Sequence, residues 1–213
     1  MRISSRELPH MKLIVVLSVA IAMTLLACSK DSASTGPGPA LTDRDYLALG
    51  WQHFEAQRYD SAGTNFTSAY NLASTQAVRG EALSGRGWSS MYKRDLSRAK
   101  GDFSIAAGVT GIPTSVLNDV RVGNAFTLFS MNVFVDAASN ANVALTDNPS
   151  YTFSHDAKVT VKRVRLLLVQ SYFANGQFAQ AAAQLDIFDP ARAPHSAEPP
   201  ILLGTITAAL NSL

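Results

Sequence analysis

The sequence predicts an all-α array of about four antiparallel helical hairpins closed by a C-terminal helix. Three observations carry that prediction. Apolar residues from Leu41 onward recur at helical spacing. A thirteen-residue pattern at Gly50 to Ala62 returns at Gly87 to Ala99 and, more weakly, at Ala125 to Ala137 and Val169 to Ala181. Turn signals also punctuate the chain at Gln57-Arg58, Asp147-Asn148-Pro149 and Asp189-Pro190. At 213 residues, 47% hydrophobic and 16% charged, the chain has the length for one well-cored domain.

The first element is not part of the array. A basic start is followed by an uncharged run from Leu13 to Ala27 and then Cys28. That run has the length of a signal-peptide core and falls short of the roughly 20 residues of a membrane-spanning helix. Met11-Lys12 makes a compact second start. Of 18 basic and 16 acidic side chains, Arg2, Arg6, Lys12 and Glu7 precede the cysteine, so the remainder is balanced and carries no electrostatic footprint for nucleic acid. Cys28 is the single cysteine, which excludes an intramolecular disulfide. The segment Leu25-Leu26-Ala27-Cys28 resembles the lipobox of bacterial lipoproteins, with Leu26 in place of the usual small or short residue. The resemblance implies a signal peptide over 1–27, acylation of Cys28, and a lipid-anchored protein of the cell envelope. Ser29 is compatible with outer-membrane sorting, facing the periplasm. Ser, Gly and Pro dominate 29–40, a flexible tether of roughly 20 Å.

In the first hairpin, Tyr46, Leu49, Gly50, His53 and Phe54 form one helical stripe with Asp43 as its expected N-cap, and Ala62, Phe66, Ala69 and Ala73 line the second helix. The second hairpin repeats Gly87, Leu96, Ala99, Phe103 and Ala106 where the first has Gly50, Tyr59, Ala62, Phe66 and Ala69. A constant twelve-residue step links Gly50 to Ala62, Gly87 to Ala99, Ala125 to Ala137 and Val169 to Ala181. The repeats are expected at about 43–76, 80–112, 114–149 and 159–192, with an aromatic and polar loop inserted at 150–158. A turn-rich connector and a capping helix from Ile201 fill 193–213.

This pattern resembles the tetratricopeptide repeat family: a small residue in helix A, a hydrophobe at the turn, then Ala, a bulky residue and Ala in helix B. The copies are spaced by 37, 38 and 44 residues, against about 34 in that family, so the inter-repeat turns are lengthened. The resemblance implies that Trp51, Trp88, Phe126 and Gln170 line a concave groove, with Arg44, Glu81, Tyr92 and Arg163 beside them. Two readings of the tryptophans stand side by side: anchors for an extended ligand, or core between successive hairpins.

No catalytic, cofactor or metal constellation is expected. His53, His155 and His195 are isolated in sequence, and His155-Asp156 reads as loop chemistry in which Ser154 and Asp156 bond local backbone and cap the next helix. There is no Gly-rich phosphate loop and no nucleophile elbow. The expected function is a membrane-anchored periplasmic scaffold or adaptor that binds a protein partner through its repeat groove, without enzymatic activity. A glycan-binding envelope lipoprotein is the alternative.

Overall fold

The computed structural model describes residues 40–213; the expected signal peptide, Cys28 and nearly all of the expected tether lie outside them. The described chain is all-helical: α1 Asp43–Glu55, α2 Tyr59–Leu72, α3 Gln76–Tyr92, α4 Leu96–Ala107, α5 Thr114–Ser130, α6 Phe134–Asp147, α7 Val161–Ala174, α8 Phe178–Phe188 and α9 Pro199–Leu210. Consecutive helices pack on one another. The odd-numbered helices α1, α3, α5 and α7 also touch in series, while α9 rests on α7 and α8. The result is a stack of four hairpins with a terminal helix.

The four hairpin turns are copies of one another. Gln57, Arg94, Asn132 and Gly176 occupy the same register and all have positive φ, between 59° and 72°. In each turn the next amide closes back onto the first helix: Arg58 on His53, Asp95 on Ser90, Val133 on Leu128 and Gln177 on Tyr172, at 2.8–2.9 Å. Only the last turn uses glycine for this left-handed residue, although glycine adopts it at least cost.

The alanines at the twelve-residue step, Ala62, Ala99, Ala137 and Ala181, are fully buried. Beside them, bulk and space are exchanged between helices. Phe66 from α2 slots between Gly50 of α1 and Gly85 of α3, where an added Cβ would come within 2.5 and 2.4 Å of its ring. Phe103 is held in the same way by Gly87 and Gly123. At the third junction the second-helix residue is Ala141, the flanking positions carry Ala125 and Leu167, and all three are buried. Volume is kept although the large side chain moves to the other helix.

The first helix is capped by Thr42 rather than Asp43. Thr42 and Asp45 form a capping box, with Asp45 N–H donating to Thr42 Oγ1 at 3.2 Å and Thr42 N–H to Asp45 Oδ2 at 2.8 Å. Asp43 turns away, and its Oδ2 accepts from the Ser74 amide and hydroxyl at 2.7 and 2.6 Å, pinning the α2–α3 turn to the start of α1. These bonds hold the Asp43 carboxyl below its ordinary pKa. At the far end, Leu202, Ile206 and Ala209 of α9 join a second apolar cluster with Leu166, Val169 and Leu185. The connector before α9 is fixed by His195, whose amide and Nδ1 both lie on Asp186 Oδ1, at 2.7 and 2.8 Å.

Candidate functional site

The face built by α1, α3, α5 and α7 is partly covered by the chain itself. After α6, residues 148–160 form a small closed loop, pinned where Phe153 N–H donates to Val159 O at 2.9 Å and by a bridge between Thr152 and Thr160. Tyr151, Phe153 and Val159 turn inward and are buried. Phe153 stacks on Trp88 at 4.3 Å between ring centroids and meets Trp51 and Phe54 edge-on at 6.0 Å. His155 lies flat on Trp51 at 3.7 Å, with its Nδ1 2.8 Å from Glu55 Oε1. This loop is a plug seated across the first three odd-numbered helices.

The indoles and phenols under the plug have polar partners. Trp51 Nε1–H donates to Glu81 Oε1 at 3.0 Å, and Trp88 Nε1–H to Asp119 O at 3.2 Å. The Tyr151 hydroxyl donates to Asp119 Oδ1 at 2.8 Å, and that of Tyr92 to Asp156 Oδ2. Burial pushes the Asp119 carboxyl up to about 6, and the charge of Glu81 adds to the rise while the Tyr151 hydrogen bond opposes it. Tyr92 and Tyr151 are both raised, first by burial and then by the carboxylates they touch. Asp156 also accepts from the Lys158 amide at 2.9 Å. It bonds local backbone as expected, but the following helix starts at an N-cap, Thr160, that makes no side-chain bond.

The residues singled out in the sequence separate into three groups. Trp51, Glu81 and Trp88 lie together beneath the plug; Trp51 is 8% exposed and Trp88 fully buried, so neither is open to a partner. The physical reason is the inserted loop, whose aromatic side chains occupy the space in front of them. Tyr92, Phe126 and Arg163 stand at the edge of the plug, where the face is open. Arg44 is exposed on the first turn of α1, away from this edge.

Two cavities make up the open strip. One, of about 370 Å³, is lined by Met91, Tyr92, Arg94, Leu96, Phe126 and Ser130. The other, of about 210 Å³, is lined by Phe126, Phe129, Arg163, Leu166, Gln170 and Leu213. Phe126 is the wall they share. Arg163 also borders a third cavity, of about 350 Å³, with Glu55, Tyr92, Asp156 and Lys158. Among the described residues its guanidinium makes no ion pair or hydrogen bond. The strip therefore offers aromatic and aliphatic side chains beside two cations, Arg94 and Arg163, that have no ion pair among the described residues.

Asp119 and Phe129 belong to this site and were not singled out in the sequence. Asp119 stands 38 residues after Glu81, in the register of the repeat, and Phe129 stands 38 after Met91; the repeat spacing was the signal for both. The other two histidines serve local contacts: His53 Nδ1 accepts from Arg58 Nε at 2.9 Å, and His195 is bound to Asp186. Among the described residues no helix is long and apolar enough to cross a membrane. No protein-family model matches the chain, and no curated protein matches it as a relative.

Proposed function

We propose that the protein is a membrane-anchored periplasmic scaffold lipoprotein, tethered through Cys28, that binds an extended segment of a protein partner on the open strip around Phe126, Phe129 and Arg163. One observation carries this reading: the chain covers the tryptophan half of its odd-helix face and leaves the adjoining half apolar, concave and cationic. The plug supports the binding mode. Its inward residues Tyr151 and Phe153 are two apart, the alternation of an extended chain, and they seat an aromatic ring between helices of successive hairpins. A partner segment with apolar side chains flanking an acidic one fits the strip by shape and by charge.

The test is affinity capture from detergent-solubilised envelopes with the full chain as bait, compared with Phe129→Ala and Arg163→Glu. Circular dichroism establishes that both variants remain helical. One protein recovered by the wild type and lost by both variants is the expected result. Recovery of the same protein by all three baits, or of none by the wild type, overturns the docking site. Metabolic labelling with an alkyne fatty acid, present in the wild type and absent in Cys28→Ala, tests the anchor separately.

A further inference from the structure

A further cavity lies on another part of the molecule, between α2 and α3, and most of the side chains around it carry hydroxyls or charges. α2 presents Gly63, Thr67 and Ser68 to it, α3 presents Arg86 and Ser90, and Lys93 follows just after α3, around a volume of about 350 Å³ with Tyr59 at its edge. This is within the range of small-ligand sites. The repeat supplies an internal comparison. In the registers of Ser68 and Ser90 the next junction has Ile105 and Leu128, and the third has Val143 and Tyr172. Ser89, also in the trench, has a structural role common to the repeats, because its hydroxyl donates to Gly85 O as Thr127 does to Gly123 O and Ser171 to Leu167 O, all at 2.8 Å. Ser68 and Ser90 are the small polar residues peculiar to the first junction.

Gly63 is in mid-helix, where glycine is disfavoured. A Cβ there would have nothing within 4 Å, so packing does not require glycine. Its effect is to leave the trench open. The α2 hydroxyls spend their protons on the helix: Thr64 donates to Asp60 O at 3.1 Å, Thr67 to Gly63 O at 2.8 Å and Ser68 to Thr64 O at 3.3 Å. Their lone pairs remain as acceptors. Ser90 Oγ makes no hydrogen bond among the described residues. Donors come from Arg86, which is held rigid by Asp102 through Nε at 2.9 Å and Nη2 at 2.6 Å and lies 5.2 Å over the Tyr70 ring, leaving Nη1 free. Formal charge balances, since Arg86 pairs with Asp102 and Lys93 with Asp60, while Arg98, also in the lining and without an ion pair among the described residues, is offset by Asp95.

We infer that this trench binds a neutral saccharide. Each sugar hydroxyl both donates and accepts, matching a wall of acceptors opposite fixed donors. An anion would find no net charge, and an apolar ligand would meet hydroxyls and charged groups on both walls. The inference is independent of the docking strip, which lies on the odd-helix face.

Saturation-transfer NMR on the full chain in detergent, with maltotriose and tri-N-acetylchitotriose at about 10 mM as probes, tests it. Gly63→Phe fills the trench. Gly101→Phe makes the same change in α4, where a Cβ also meets nothing within 4 Å, but outside the trench. The expected result is transfer to at least one trisaccharide, reduced about tenfold in Gly63→Phe and kept in Gly101→Phe, with unchanged circular dichroism; a tenfold loss is a measurable affinity change. No transfer to either probe with the wild type overturns the inference, as does equal transfer or equal loss in the two variants.

Discussion

Removing the ring of Phe153 asks whether the plug is part of the core or a loose cover. Phe153 is fully buried, stacked on Trp88 and edge-on to Trp51 and Phe54. A buried Phe→Ala change costs about 3–5 kcal/mol. Within that total, each aromatic pair that the ring makes accounts for about 0.5–1.5 kcal/mol. Because the plug is a loop, it can lift from the helices when its anchor is removed, and lifting limits the penalty to the lower part of the range. We expect Phe153→Ala to lose about 3 kcal/mol in urea unfolding followed by circular dichroism. Trp51 and Trp88 are the only tryptophans in the chain and both lie beneath the plug. The folded variant should therefore show red-shifted emission and increased quenching by iodide. An unchanged urea midpoint together with unchanged emission would refute the reasoning that the loop fills this face.

Further outcomes follow from other parts of the stack. Asp119 has its carboxyl raised from 3.8 to about 6 in the folded chain, worth about 3 kcal/mol at most. The folded state then holds more protons than the unfolded one between those values, so this group's contribution to stability falls as pH rises from about 4 through about 6. Asp119→Asn keeps an acceptor for Tyr151 and should raise the urea midpoint at pH 7.5 but not at pH about 4; the difference between wild type and variant isolates this group from Asp186, whose lowered carboxyl acts in the opposite sense as pH falls. Gly85→Ala should lose about 1–3 kcal/mol, because its Cβ would press on the buried Phe66 ring, whereas Gly101→Ala in open space should gain about 0.5–1 kcal/mol; thermal melts of the two variants check the contrast. Arg94→Gly relieves a left-handed residue at the α3–α4 turn and should stabilise the fold by about 1 kcal/mol or less once the greater freedom of the unfolded glycine is subtracted, read as a higher melting temperature.

The hairpins were legible because close packing imposes the same small residue and the same alanine twelve positions on, and that step survives even where Ala141 replaces a phenylalanine. The left-handed conformation at Gln57 and Arg94 was not legible, even where Gln57-Arg58 marked a turn, since neither side chain favours it, whereas Asn132 and Gly176 are residue types that do. The cap at Thr42 was readable as a Thr-x-x-Asp box, yet Asp43 beside it looks equally suitable, and what diverts Asp43 is Ser74, thirty-one residues away. The tryptophans illustrate a limit of another kind. Their helical register places them on the odd-helix face, but whether they are open depends on Phe153 and His155, which arrive from an insertion far along the chain. The alternation of Tyr151 and Phe153 within that insertion was the local sign that it would bury one side. Arg163 kept its exposure because the plug ends before reaching it.

The most direct test of the central claim, that the open strip beside the plug is where a partner docks, is photo-crosslinking in intact cells from a benzophenone amino acid placed at Phe129. Val143, exposed on α6, serves as the comparison position. A discrete crosslinked protein from position 129 and none from position 143 is the predicted result. No adduct from 129, or the same adduct from both positions, would contradict it.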